Sequence, residues 1–158
     1  MATFATSEIV ELGIQIERNG KDFYSALVRM SKDEKARAVF SFLSREEEKH
    51  ISVFQVILDS VKRYEPKESY PAEYFAYMKA LAGDYVFTKA DKGEEKAKEA
   101  KSELEAIDIG VGFEKDSIVF YGGMRRLIPL REHHIIDVLI KQEQDHLRRL
   151  IDLRKSFA

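Results

Sequence analysis

Residues 40–54 read "FSFLSREEEKHISVF", and the fold turns on this stretch. Phe40, Leu43, Ile51 and Phe54 fall at helical spacing on one face, the face an amphipathic helix turns toward a core. Glu47 and His50 lie in the middle of the same stripe. A carboxylate and an imidazole thus stand where a helix ordinarily buries hydrocarbon, and the rest of the chain has to account for them.

The chain outside this stretch reads as four long helices, with 3 Pro and 8 Gly to interrupt them and no alternating strand run. The fold class is therefore all-α. The first helix is expected from Ser7 to Met30, and Ser31 with Glu34 offers a capping-box start for the second. A connection this short makes the two antiparallel neighbours. The third is expected from Ser102, with Glu105 in the capping position, to Tyr121, where Gly122 and Gly123 offer a stop. Pro129 suits the first turn of a fourth helix that continues to about Lys155. Between the two hairpins, residues 61–101 carry Pro66, Pro71 and the aromatics Tyr64, Tyr70, Tyr74, Phe75, Tyr77, Tyr85 and Phe87. This crossover is long enough to travel the length of a bundle. It is expected to hold a short helix from Pro71 to Leu81, followed by "KADKGEEKAKEAK" as a solvated helix or loop.

Composition narrows the function classes. A chain of 158 residues, 44% hydrophobic and 34% charged, suits a single domain over residues 1–158 with a sizeable core. Its 26 basic and 28 acidic residues are interspersed, which gives no nucleic-acid or membrane footprint. The start, "MATFATSEIVELGIQIE", lacks the basic and apolar regions of a secretion signal, so a cytoplasmic location is expected. A homodimer is the default assembly on general grounds. With no cysteine, thiolate chemistry and sulfur-ligated metals are excluded, and any metal site uses oxygen and nitrogen.

An internal repeat answers the question raised by residues 40–54. Shifted by 97, "LGIQIERNGKDFY" (12–24) aligns with "IGVGFEKDSIVFY" (109–121), which pairs Glu17 with Glu114 and Tyr24 with Tyr121. Shifted by 96, "FLSREEEKHISVF" (42–54) aligns with "VLIKQEQDHLRRL" (138–150), which pairs Glu47 with Glu143 and His50 with His146. The anomalous residues are the repeated ones. Glu143 has Ile136, Leu139, Leu147 and Leu150 around it on its stripe, and the small residues Gly13, Gly20, Gly110 and Ser117 flank Glu17 and Glu114, leaving room in the core.

Four carboxylates and two imidazoles directed into one bundle carry a severe desolvation cost if left charged and unpaired. No Lys or Arg lies on these stripes at the level of the Glu residues. Two divalent cations would cancel four negative charges, and carboxylate with imidazole suits iron, manganese or zinc. A Glu-x-x-His pair delivers both side chains to one side of a turn. One Glu from each of two helices and a Glu-x-x-His from each of the others is the ligand pattern of di-iron carboxylate bundles.

On "IERNGKDFY" with Glu17, "EEEKH" with Glu47 and His50, "FEKDSIVFY" with Glu114 and "EQDH" with Glu143 and His146, the chain resembles the ferritin-like superfamily. Within it, the resemblance is to a rubrerythrin-type protein lacking the rubredoxin domain. It implies an antiparallel four-helix bundle that binds two iron ions, with Glu47 and Glu143 bridging, Glu17 and Glu114 terminal, and one His per ion. It also implies an oxidoreductase acting on hydrogen peroxide or dioxygen. Full-length rubrerythrins carry a four-cysteine electron-transfer domain, so here an external donor such as a rubredoxin-like protein is required. Some members add a carboxylate on the third helix, whereas Val111 and Ser117 stand three residues either side of Glu114. Iron sequestration in a ferritin-like shell, and metals acting only as staples of the bundle, are the alternative readings. Tyr24 and Tyr121 are placed either to donate hydrogen bonds to ligating carboxylates or simply to pack the core. His133 and His134 have no repeat partner and are expected at the surface or in a first helical turn.

Overall fold

The computed structural model describes residues 6–63 and 72–157, and every regular element among them is helical. Two long helices form the first hairpin, α1 (Thr6–Met30) and α2 (Glu34–Arg63); two more form the second, α5 (Glu103–Arg125) and α6 (His133–Lys155). The crossover contributes α3 (Ala72–Asp84) and α4 (Gly93–Glu99). This is the ferritin-like four-helix arrangement that the sequence predicts.

Contacts at the two ends of the bundle fix the directions. Lys62, near the end of α2, lies 3.5 Å from Glu11, near the start of α1, so these helices are antiparallel. Glu103, at the start of α5, instead meets the far end of α1: its carboxylate accepts from the Ser31 hydroxyl and from the Lys32 and Asp33 N–H groups. The crossover has therefore returned along the whole bundle, about 45 Å for the 30-residue α2 at 1.5 Å per residue. Arg154 to Asp108 at 3.2 Å closes the second hairpin at that same end. Phe23, Tyr24, Phe40, Phe54, Phe120 and Tyr121, drawn from α1, α2 and α5, fill the interior together with Ile136, Leu139 and Leu150 of α6.

Several local expectations need correction. Ser31 is not the cap of α2, because its hydroxyl is drawn to Glu103. Asp33 caps instead, its Oδ1 accepting the Ala36 N–H at 2.8 Å. Ser102 does cap α5, accepting from the Glu105 N–H at 3.1 Å. Gly122 and Gly123 do not stop α5, which runs on to Arg125. Neither has the positive φ of a terminating glycine, and a Cβ on Gly123 would collide with Met78 Sδ of α3. Pro129 precedes a 3-10 turn over Leu130–Glu132, and α6 proper starts at His133. His133 is half-buried and His134 exposed in that first turn, as expected.

In the crossover, α3 continues three residues past the expected Leu81, while Tyr64, Pro66, Tyr70 and Pro71 lie outside the described residues. The charged run is not simply solvated. Within it α4 buries Gly93 and Ala97 against α1, so close that a Cβ on Gly93 would collide with the Asn19 carbonyl. The buried Asn19 amide organises this join: it donates to the Phe87 and Lys89 carbonyls at 2.7 and 2.6 Å and accepts from the Lys92 and Gly93 N–H groups at 3.0 and 3.2 Å. Every hydrogen-bonding position of one buried side chain is used to hold the backbone of the loop between Phe87 and α4.

Candidate metal centre

Glu17 on α1, Glu47 and His50 on α2, Glu114 on α5, and Glu143 and His146 on α6 meet midway along the bundle. The four glutamates are fully buried, and the two histidines are 2% and 1% exposed. Helical spacing accounts for each pair, since residues three apart share one side of a turn. The imidazole rings lie nearly parallel, 5.5 Å between centroids and 14° between planes, so the two Glu-x-x-His units face one another across the bundle.

Both Nδ1 atoms point into the carboxylates. His50 Nδ1 lies 2.7 Å from Glu143 Oε1 and 3.5 Å from Glu17 Oε1; His146 Nδ1 lies 3.1 Å from Glu47 Oε1, 3.6 Å from Glu143 Oε2 and 3.8 Å from Glu114 Oε1. Two donor sets result. Glu17, Glu47, His50 and Glu143 each offer one atom within 4.8 Å of the others, and so do Glu47, Glu114, Glu143 and His146. Glu47 and Glu143 belong to both.

The outward faces of these residues are held by neighbours. Tyr24 donates to Glu114 Oε1 and Tyr121 to Glu17 Oε1, both at 2.7 Å, so each tyrosine serves the carboxylate of the other hairpin. Gln142 Oε1 lies 2.8 Å from His50 Nε2, so a proton on Nε2 completes that bond and Nδ1 is the ring nitrogen that faces the carboxylates. Gln142 did not stand out in the sequence. It directly precedes Glu143, and its repeat counterpart Glu46 differs in charge and pairs instead with Lys49 at 3.0 Å.

The space beside the glutamates is occupied, contrary to the reading that small residues leave room. Gly13 accommodates the Phe54 ring, and Gly20 the Phe113 ring. Ser117, the counterpart of Gly20, bonds the hydroxyl of Tyr85 at 2.8 Å. The glycines thus let aromatic side chains seal the cluster from water.

Sealing sets the electrostatics. Burial first, then the charge of Glu143, raises the pKa of Glu17. Burial with the same neighbour raises Glu47 and Glu114 further, well above the carboxylate range. Glu143 goes the other way: burial opposes its charge, but the close approach of Glu114, His146 and His50 outweighs it and holds it well below that range. At His50 burial favours the neutral ring, and Glu17 and Glu143 override it, raising the pKa to about 11. Without other cations, protons carry the compensating positive charge.

The sequence from residue 8 to residue 154 matches the family model described as Rubrerythrin. The chain belongs to the rubrerythrin family.

This rubrerythrin-family chain is also similar to the solved structure of a chain from Thermotoga maritima described as a ferritin-like diiron-carboxylate protein. That likeness has a TM-score of 0.73 and 24% identity, and covers 100% of this chain and 99% of the other. It supports the fold. A comparison with curated proteins returned no match.

The residues present fit a metal pair. Glu17 Oε2, Glu47 Oε2, Glu114 Oε2, both Glu143 oxygens and His50 Nδ1 are buried without a hydrogen-bond partner. The 2.7 Å approach of His50 to Glu143 is close but poorly aligned for a hydrogen bond, the arrangement of two donors converging on a common point rather than on each other. Six orphaned donor atoms in one sealed cluster are costly for a metal-free rubrerythrin fold, and they are the hard and borderline ligands that divalent iron, manganese or zinc accepts. Among the described residues no helix is long and apolar enough to cross a membrane.

Proposed function

We propose that the chain is a di-iron carboxylate oxidoreductase that reduces hydrogen peroxide or dioxygen with electrons from an external donor such as a rubredoxin-like protein. The observation that carries this reading is the sharing of Glu47 and Glu143 between the two donor sets, which suits a pair of ions held side by side rather than two isolated ones. Glu17 and His50 would complete one ion's ligands, and Glu114 and His146 the other's. When bound, an iron pair supplies two one-electron centres and a Lewis acid, enough for a two-electron reduction of a small oxidant.

The protein's own groups orient and insulate. Tyr24 and Tyr121 fix the terminal carboxylates, Gln142 fixes the His50 tautomer, and the rings of Phe54 and Phe113 keep water from the cluster. A dry site strengthens each electrostatic contact inside it and limits side reactions.

The test is metal analysis with absorption and Mössbauer spectroscopy on protein purified anaerobically from its own host, followed by oxidant addition to the reduced form. A coupled iron pair that oxidises rapidly on meeting peroxide or dioxygen is the expected result. Tightly held zinc indifferent to oxidant would sink the catalytic reading and leave metal as a staple of the bundle.

A further inference from the structure

We propose that small uncharged molecules reach the centre from one side only, through a groove between α2 and α6 whose floor is Gln142 and Leu139, ending at His50. The groove holds about 240 Å³ and is walled by Val53, Ile135 and Val138 with His134 at its rim. Its inner end touches the cluster directly, because Gln142 in the floor is the residue bonded to His50 Nε2 at 2.8 Å. The Gln142 side chain is otherwise exposed and Val138 is 55% exposed, so one amide separates the His50 ring from the groove.

The repeat supplies the control. The counterparts of Val138 and Val53 on the other side of the bundle are Phe42 and Arg149. There Phe42 stands edge-on to the His146 ring, 6.1 Å between centroids and 84° between planes, and the Arg149 guanidinium covers the Phe42 ring at 4.3 Å. Two side chains too large for a groove close the side that symmetry would otherwise have left open. The two histidines are almost equally buried, so the asymmetry lies in what covers them, not in their own exposure.

Apolar walls with a single amide at the floor suit a small neutral molecule. That the molecule is hydrogen peroxide or dioxygen rests on the function proposed above; the one-sided access does not. Gln142 is here a positioning residue, acting through His50.

The absence of cysteine makes the test direct, since an introduced thiol is the one thiol in the chain. Leu139→Cys probes the groove floor and Leu43→Cys its repeat counterpart, both residues being fully buried or nearly so. In metal-free protein, methyl methanethiosulfonate followed by mass spectrometry should label the thiol of Leu139→Cys at least about tenfold faster than that of Leu43→Cys, because thiol reactivity follows access. Adding Gln142→Ala should speed labelling in the Leu139→Cys background severalfold and leave the Leu43→Cys background unchanged. Should either cysteine variant fail to fold, Ile135→Cys and Val39→Cys, one turn earlier on the two helices, carry the same comparison. Equal rates overturn the proposal, as does labelling slowed on both sides by a second copy seated on the groove. No metal or turnover enters the readout, so a protein that proves redox-silent leaves this result standing.

Discussion

The Tyr121 hydroxyl donates a 2.7 Å hydrogen bond to Glu17 Oε1 across 104 residues of chain, joining the second hairpin to the first at the level of the candidate metals. Tyr121→Phe keeps the ring and removes only the donor. A buried acceptor left without its partner costs about 1–3 kcal/mol, and loss of a group that orients a ligand typically lowers metal affinity about 10–100-fold. Urea denaturation and competitive metal titration check both figures. Tyr24→Phe, which removes the matching bond to Glu114, should behave alike; a variant indistinguishable from wild type in both assays would reduce the tyrosines to core filler.

Glu47→Gln should separate folding from metal binding. In the metal-free chain it removes a carboxyl whose proton is held only because burial and the charges of Glu143 and Glu17 oppose ionisation. The melting temperature of the metal-free protein should rise, by about 2–4 °C for each kcal/mol relieved in a domain of this size. Metal content should fall at both positions, because Glu47 is common to both donor sets. Glu17→Gln, in one set alone, should leave about one ion bound. Calorimetry with elemental analysis decides the matter, and equal metal loss in the two variants would contradict the shared role of Glu47.

The pH dependence of the metal-free protein has a defined sign. Glu17, Glu47 and Glu114 keep their protons to a higher pH when folded than when unfolded, where they ionise near 4.5. His50 is raised from 6.5 to about 11, so its contribution is fully present below pH 6.5 and is lost progressively toward pH 11. In each case the folded state binds more protons, and stability falls as pH rises. Glu143 opposes this, its contribution being present above 4.5 and lost as pH falls, but it is one group against four. The melting temperature of chelator-treated protein should therefore decline from pH 5 to pH 9. Metal should reverse the slope over that range, since binding requires these groups deprotonated. A flat profile for the chelated protein would argue that the cluster is hydrated.

Gly93→Ala tests the crossover. The new methyl would meet the Asn19 carbonyl, a backbone atom that cannot swing aside. Overpacking of this kind costs about 1–3 kcal/mol. Hydrogen exchange should show α4 losing protection before the four long helices do. Uniform loss across the chain would mean that α4 is no separate unit.

The four long helices and the six Glu and His residues that cluster in the core could be read from sequence because both are encoded by period. Apolar residues recur every three or four positions, and the polar exceptions recur again one repeat later. What could not be read lacks such a period. Asp33 replaced Ser31 as a cap because Glu103, some seventy positions away, claims the serine. Gly123 continued a helix that its residue type argued against, because Met78 needed the space. The contact face of "KADKGEEKAKEAK" rests on Gly93 and Ala97, too small to register as hydrophobic pattern. Gln142 acts through one hydrogen bond and Asn19 through four, all to distant partners, which leave no trace in local composition.

The sharing of Glu47 and Glu143 also bears on how the molecule comes together. Each hairpin owns three members of one donor set and borrows the fourth from the other, so neither half has a complete coordination sphere by itself. Occupancy therefore measures docking: affinity for the second half of the chain and affinity for metal are two views of one equilibrium, and a chelator acts on the seam between hairpins before it acts on any helix.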